Sequence, residues 1–212
     1  MQPSKPRARR MAPDDRRATI IAATLPLVLR HGGGVTTRQI AEAAGIAEGT
    51  IFRVFPDKES VVRAVVAEAF EPAPTLRELA EVDRHLPLRE RLAAAVAVLQ
   101  RRLSEVFGLL AALDWTRPPD HDDADRCERP RAAPINDAFR AAIVDLIGPD
   151  AQRLRVPATE FAHVLRLLVF SGTHPLIADG RTLDAEQIVA ILLDGLLDAA
   201  VPAPDPTEEG PC

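Results

Sequence analysis

The 212-residue sequence contains no tyrosine, one tryptophan and two cysteines, and aromatic residues make up only 4% of it. Cys127 and Cys212 lie far apart in polar sequence, so they form neither a disulfide framework nor a CxxC site, and a reducing cytoplasm is the expected location. The longest stretches without a charged residue, 18–29 and 167–178, have 12 residues each, short of the ~20 that cross a bilayer. We therefore expect no membrane partner, and no apolar core follows the basic N-terminus as a secretory signal requires.

Charge is distributed unevenly along the chain, although the formal net charge is only −5. Residues 1–65 carry a surplus of five positive charges, so the remaining residues carry a net −10. A basic end on an acidic body indicates that this end contacts a polyanion. The alternative is a solvated tail with a chance excess of arginine.

The sequence predicts an all-α fold, because apolar residues recur at helical spacing and no strand-like alternation is sustained. The predicted helices, set by caps, glycines and prolines, are 14–31, 37–44, 47–55, 57–70, 88–114 (one helix or two end to end), 135–147, 157–173 and 184–200. The predicted domains are a flexible basic arm (1–13), a head (14–66), a helical body (67–201) and a disordered tail (202–212), with a polar loop at 115–133.

The segment 36–55 has the residue types of a helix-turn-helix. Thr36 is a candidate helix cap, and because no glutamate stands three residues later we expect a simple cap without a capping box. Ala41 is small enough for a close helix crossing, and Gly45 tolerates the positive φ of the turn. The second helix then directs 47–53 outward, where its first residues would reach base edges in the major groove. A plain helical hairpin is the alternative.

The head resembles the DNA-binding domain of TetR-family transcriptional regulators in residues 35–66, which read VTTRQIAEAAGIAEGTIFRVFPDKESVVRAVV. The resemblance covers about 14–66 and includes the glycine turn, the GT-apolar-aromatic run, Phe55 and Lys58. It implies a homodimeric, all-helical repressor with a three-helix DNA-binding head and a helical body for effector binding and dimerisation. The implied partners are double-stranded DNA with a palindromic operator, a second copy of the chain and an unknown small-molecule effector. No cofactor is implied.

The predicted DNA contacts lie on the two helices of the motif and at the start of the fourth helix. They are Thr37, Arg38, Ala47, Glu48, Gly49, Thr50, Phe52, Arg53 and Lys58. Hydroxyl groups and cations there suit phosphate, Arg53 suits phosphate or a guanine edge, and Gly49 lets the backbone approach the groove. The arm residues Arg7, Arg9 and Arg10 suit an adjacent minor groove, or else belong to a solvated tail.

Three positions depart from the usual pattern of the resembled family. Ala47 stands where serine is frequent, and Phe52 stands where tyrosine supplies a phosphate-binding hydroxyl. Glu48 occupies a place often held by a basic or small residue. Its carboxylate would repel phosphate unless it accepts a hydrogen bond from cytosine N4.

Helices 157–173 and 184–200 are apolar on most faces, which implies burial on two sides. The resembled family forms its dimer there, and a thick monomeric core is the alternative. The predicted dimer residues are Val164, Leu168, Ile188, Ile191 and Leu192. The predicted effector pocket consists of Phe107, Leu110, Trp115, Phe139, His163, Leu165 and Phe170; residues of these types are more often plain core residues.

A metal-binding or catalytic body is the rival class of function. The donors His121, Asp122, Asp123, Asp125 and Cys127 share one polar loop, where no helical spacing fixes their geometry. No Ser-His-Asp arrangement or phosphate-binding glycine loop is present, so we expect neither an enzyme nor a metal site. An activator, or a regulator without an effector, remains open as an alternative to a repressor.

Overall fold

A computed structural model of the chain describes residues 12–114 and 132–195. These residues form nine α-helices and no strand, which confirms the predicted all-α fold. The helices are α1 (Pro13–His31), α2 (Thr37–Ala44), α3 (Glu48–Ile51), α4 (Lys58–Phe70), α5 (Ala73–Ala80), α6 (Leu88–Ala112), α7 (Ala132–Ile147), α8 (Ala158–Thr173) and α9 (Ala185–Asp194), with 3-10 turns at Gly32–Gly34 and Gly148–Arg153. Within the described ranges, no helix is long and apolar enough to cross a membrane.

The largest differences from the predicted helices concern α3 and α5. α3 ends at Ile51, before the predicted Phe55, and tighter i−3 hydrogen bonds continue through Val54. Pro56 contributes to this end, since proline disfavours α geometry in the residue before it. α5 was not predicted. Pro74 lies in its first turn, where proline suits helix initiation.

The apolar side chains form two clusters. The head cluster joins α1 to α4 and also receives Leu109 and Leu113 from the end of α6. The body cluster joins α5 to α9, and the first half of α6 contributes Leu92, Val96 and Leu99 to it. α6 therefore belongs to both clusters and is a rigid connection between them.

The contact between α1 and α6 requires a glycine. Gly32, at the end of α1, has φ 57°, and a Cβ built on it would lie 2.3 Å from the carbonyl oxygen of Ala112. Positive φ and a backbone neighbour at this distance exclude any other residue without a local shift. The end of α6 is thus seated directly on the end of α1.

A buried ion pair links the start of α6 to the turn after α7. Arg91 is only 5% exposed, and its guanidinium pairs with Asp150 and donates to the Arg84 carbonyl. Asp150 also pairs with Arg153. The hydrogen bond from Arg153, and then that from Arg91, hold the pKa of Asp150 below its usual value. Within the described residues, Arg91 Nε has no hydrogen-bond acceptor.

Candidate nucleic-acid interface

The first turn of α2 is fixed by two reciprocal hydrogen bonds. The Thr36 hydroxyl accepts from the Gln39 backbone N–H at 3.3 Å, and the Gln39 side-chain oxygen accepts from the Thr36 N–H at 2.9 Å. This arrangement is a capping box, so the prediction of a simple cap was wrong: glutamine at the third position completes the box as glutamate does. The capped end presents Thr37 and Arg38 where the helix dipole favours a bound anion.

The turn between α2 and α3 depends on Gly45. Its φ of 65° and ψ of 32° are left-handed, and the N–H groups of Gly45 and Ile46 donate to the carbonyls of Glu42 and Ala41. No atom lies within 4 Å of a Cβ built there, so glycine is required for conformation and not for space. The turn brings the buried residues Ala41 and Ile51 into one core and sets the direction of α3.

α3 buries Ile51 and directs its other residues away from the head. Phe52 is 52% exposed and Thr50 is half-buried. The remaining predicted base-reading residues are all exposed: Ala47, Glu48, Gly49 and Arg53. This is the geometry with which a helix-turn-helix places the start of its second helix in a major groove. The structure thus puts these side chains on one outward surface, while their contacts with DNA remain a prediction.

One link across this surface was missed from the sequence. The Thr37 hydroxyl donates a hydrogen bond to Glu48 Oε1 at 2.5 Å. The hydroxyl predicted to bind phosphate is therefore engaged by the carboxylate at the start of α3. The two residues are eleven positions apart, so only the helix crossing brings them together.

The start of α4 lies beside the end of α1. Asp57 caps α4, and hydrogen bonds from the Ser60 side chain and backbone N–H, together with the charge of Arg63, hold the pKa of Asp57 below its usual value. Lys58 Nζ donates to the Gly33 carbonyl at 3.0 Å and lies 3.8 Å from the Glu59 carboxylate. The ammonium has three donors, so a phosphate contact by Lys58 would add to an internal role.

A cation–π contact joins the start of α1 to the segment after α3. The Arg17 guanidinium lies 4.4 Å from the ring centroid of Phe55, whose side chain is 2% exposed. Such a contact stabilises by about 0.5–1 kcal/mol at a partly exposed site. The sequence marked Phe55 as part of the motif but contained no signal for its arginine partner.

The predicted effector residues are separated into different environments. Phe107 meets Phe170 edge-on at 5.5 Å between centroids and His174 at 4.6 Å, and Phe170 is partly exposed. Phe139 lies 5.8 Å from the Arg166 guanidinium. The rings of Phe107, Phe170 and His174 form one aromatic surface at the end of α8, and Phe139, also among the described residues, has no ring contact with them.

The other predicted effector residues differ in exposure. Leu165 is fully buried in the body cluster, so it is a core residue and offers no area to a ligand; His163 is exposed. Leu110 is half-buried on α6. Trp115 lies outside the described residues.

The predicted dimer residues also divide. Val164 is 42% exposed, whereas Leu168, Ile191 and Leu192 are half-buried. Ile188 is fully buried against its own chain, so its place in the interface was wrong. Leu167, on the same helix as Val164, was not predicted and is 55% exposed.

Several predictions concern residues that the structure does not describe. They are the arm arginines Arg7, Arg9 and Arg10, the donor cluster from His121 to Cys127, the end of the last predicted helix and the tail. Within 12–114 and 132–195, no three His, Cys, Asp or Glu side chains converge on a site for a metal ion.

Comparison with known proteins gives one family match. Residues 20–65 match the family model of bacterial regulatory proteins, tetR family, which confirms the resemblance found in the sequence. No curated protein matches the chain.

Solved structures share the fold at low sequence identity. A tetR-family transcriptional regulator from Streptomyces coelicolor superposes with a TM-score of 0.58 and 21% identity, covering 86% of this chain and 79% of that one. The transcriptional regulator FadR from Bacillus subtilis, solved in complex with stearoyl-CoA, gives 0.56 and 14%, covering 85% and 99%. A transcriptional regulator from Rhodococcus sp. Rha1 gives 0.54 and 18%, covering 84% and 92%.

Proposed function

We propose that this chain, whose residues 20–65 belong to the tetR family of bacterial regulatory proteins, is a cytoplasmic transcriptional repressor. It binds a palindromic operator as a homodimer and leaves it when a small-molecule effector binds the body. In this proposal 14–66 form the DNA-binding head and 67–201 the effector and dimer domain. The outward side of α3, beside the capped start of α2, is the observation that carries the proposal.

The head contacts DNA through three helix starts. α3 enters the major groove, where Thr50 and Arg53 reach base edges or phosphates and Gly49 allows close backbone approach. The starts of α2 and α4 present backbone N–H groups to the flanking phosphates. Because these contacts neutralise phosphate charge, duplex affinity falls steeply as salt rises.

A second copy of the chain covers the exposed apolar side of α8. Val164 and Leu167 are 42% and 55% exposed there, and Leu176 and Ile177 beyond the helix are 80% and 57% exposed. Covering one such side chain stabilises by up to ~1.5–3 kcal/mol. One short helix reads only a few base pairs, so two heads about one DNA turn apart supply the reading of a palindrome.

Effector release acts through α6. Phe107 lies in the aromatic surface of the body, and Leu109, one half-turn further on, is packed in the head cluster. A ligand that favours one position of α6 therefore changes the population of head positions that fit both operator half-sites. The fold is compatible with a ligand, because its Bacillus subtilis neighbour was solved with stearoyl-CoA.

The test begins with selection of bound duplexes from a random pool, followed by fluorescence anisotropy on the selected sequence. We expect Thr50→Ala to weaken binding by about tenfold, the size of one lost specific contact. Thr159→Ala, an exposed threonine at the start of α8, is the matched control and should bind as the unmodified chain does. Equal affinity of both variants, or no selected sequence at all, would overturn the proposal. A reporter whose transcription rises when the gene is removed separates repression from activation.

A further inference from the structure

Arg166 lies half-buried on the flank of α8 that faces α7. Its Nη2 donates to Asn136 Oδ1 at 2.5 Å, and its guanidinium lies 5.8 Å from the Phe139 ring centroid. Both partners are neutral. Asp137, the carboxylate next to Asn136 in sequence, pairs with Arg140 instead. In the part of the chain that the structure describes, no Asp or Glu forms an ion pair with Arg166.

The surroundings of Arg166 disfavour its positive charge. Burial lowers the pKa of Arg166, the nearby charge of Arg140 lowers it further, and Asp137 only partly opposes this. A partly buried cation is costly unless an anion pairs with it. The position is thus prepared electrostatically for one negative charge.

An apolar surface adjoins this cation. Phe170 follows Arg166 by four residues, one helical turn or about 6 Å along α8, and packs edge-on against Phe107. His174 contacts both rings, and Phe170 is 43% exposed. A cation and an aromatic platform therefore lie side by side on one flank of α8, between α6 and α7.

We infer that the effector is a small monocarboxylate with an apolar body, whose carboxylate is bound by Arg166 and whose apolar part covers Phe107 and Phe170. This inference rests on the proposed function. The guanidinium fork matches the two oxygens of a carboxylate, and Asn136 holds the fork in place. One available guanidinium, with Arg140 already paired, matches a single negative charge better than a phosphate dianion.

The position of this site explains how it would reach the head. Phe107 is on α6, whose next buried residues, Leu109 and Leu113, lie in the head cluster. A ligand wedged between Arg166 and Phe107 therefore acts on the helix that contacts the end of α1. The ligand would bind at the end of the body nearest the head.

Titration calorimetry on the full chain tests the inference with two matched pairs of probes. The first pair is 4-phenylbutyrate and 4-phenylbutan-1-ol, and the second is decanoate and decan-1-ol. We expect at least one carboxylate to bind about tenfold or more tightly than its alcohol, the effect of a hydrogen bond to a charged group. Arg166→Met should remove that preference and leave alcohol binding unchanged. Arg181→Met, at an exposed arginine that is not one of the residues assigned to the site, should keep it.

The outcomes separate this inference from the proposed function. Equal affinity of acid and alcohol in both pairs, or a preference that survives Arg166→Met, would overturn the carboxylate site even if the chain binds its duplex normally. Loss of duplex binding in the unmodified chain would overturn the proposed function, whatever the probes do. Should Arg166→Met unfold, Arg166→Lys is used: it keeps the charge but not the fork, and a reduced preference is then expected. An undiminished preference in Arg166→Lys would contradict bidentate binding.

Discussion

The hydroxyl of Thr37 donates a hydrogen bond to the carboxylate of Glu48, and the two oxygens are 2.5 Å apart. The bond ties the first turn of α2 to the first residue of α3. Ionised carboxylates only accept hydrogen bonds, so the second oxygen of Glu48 suits a base donor, and cytosine N4 is such a donor in the major groove. We therefore predict that Thr37 positions Glu48 for one base pair.

Glu48→Ala should relax base preference at one position of the operator, where the unmodified chain selects C·G. A good contact of this kind contributes about 1–3 kcal/mol of discrimination. Thr37→Val, which keeps the shape but loses the donor, should have a smaller effect at the same position. Selection from a random duplex pool measures both. Glu42→Ala, an exposed glutamate on α2, serves as the control, and identical base frequencies for Glu48→Ala and the unmodified chain would rule out base reading by Glu48.

Gly32→Ala should destabilise the fold by at least about 1 kcal/mol, the cost of left-handed geometry in a residue with a Cβ. The new methyl group would also lie 2.3 Å from the Ala112 carbonyl oxygen. This clash should weaken the packing of the end of α6 against the end of α1. Gly34→Ala is the matched control, because a Cβ there meets nothing within 4 Å and its φ is not positive. Urea unfolding compares the two variants. Equal midpoints would show that neither the positive φ of Gly32 nor its approach to the Ala112 carbonyl matters for stability.

The helix-turn-helix could be predicted from sequence because its determinants are local. Ala41, Gly45 and Ile51 each have a residue type that the crossing requires, and the structure places all three as expected. The missed capping box and the missed helix α5 came from applying the rules for helix starts too narrowly. Gln39 was not counted as a capping-box partner, and Pro74, which lies in the first turn of α5, was not interpreted as a sign of a helix start.

Tertiary contacts could not be predicted in this way. The apolar pattern of α9 predicts that two sides of the helix are buried. It does not indicate which side packs against its own chain, so Ile188 was assigned to the wrong side. The partners of Arg17, Glu48 and Arg166 lie on other helices. Their distances depend on helix crossing angles, which no local spacing encodes.

Acid should weaken the head through Asp57. Its folded-state pKa lies below the reference value of 3.8, so its stabilising effect is fully present above about that pH and is lost as the pH falls through the lower folded value. Asp57→Asn keeps a capping oxygen without this titration. The urea midpoint of the unmodified chain should therefore fall more steeply below about pH 4 than that of Asp57→Asn. Parallel curves would contradict this, and Asp57→Ala, which lacks the cap at every pH, is the control.

Removing Arg91 or Asp150 from their buried ion pair should change the stability of the fold by unequal amounts. Asp150→Ala leaves the 5% exposed Arg91 without its carboxylate, whereas Arg91→Met replaces the charge with apolar volume and leaves Asp150 paired with Arg153. We expect Arg91→Met to lie within about 1 kcal/mol of the unmodified chain and Asp150→Ala to be clearly less stable. Denaturant unfolding measures both variants. The reverse order would show that the pair stabilises the fold mainly through Arg91.

Leu167→Glu should convert the proposed homodimer into a monomer. The side chain is 55% exposed on the outer side of α8, and a charge placed there would be buried without a partner in the proposed interface, at a cost of several kcal/mol. Val156→Glu changes another exposed apolar residue, 39% accessible and outside α8, and should leave the dimer intact. Light scattering after gel filtration reports the mass, and anisotropy should show weaker binding of the two-half-site duplex by Leu167→Glu. A dimer that survives Leu167→Glu would place the interface on another face, and the spacing of the two heads would then have to follow from that face.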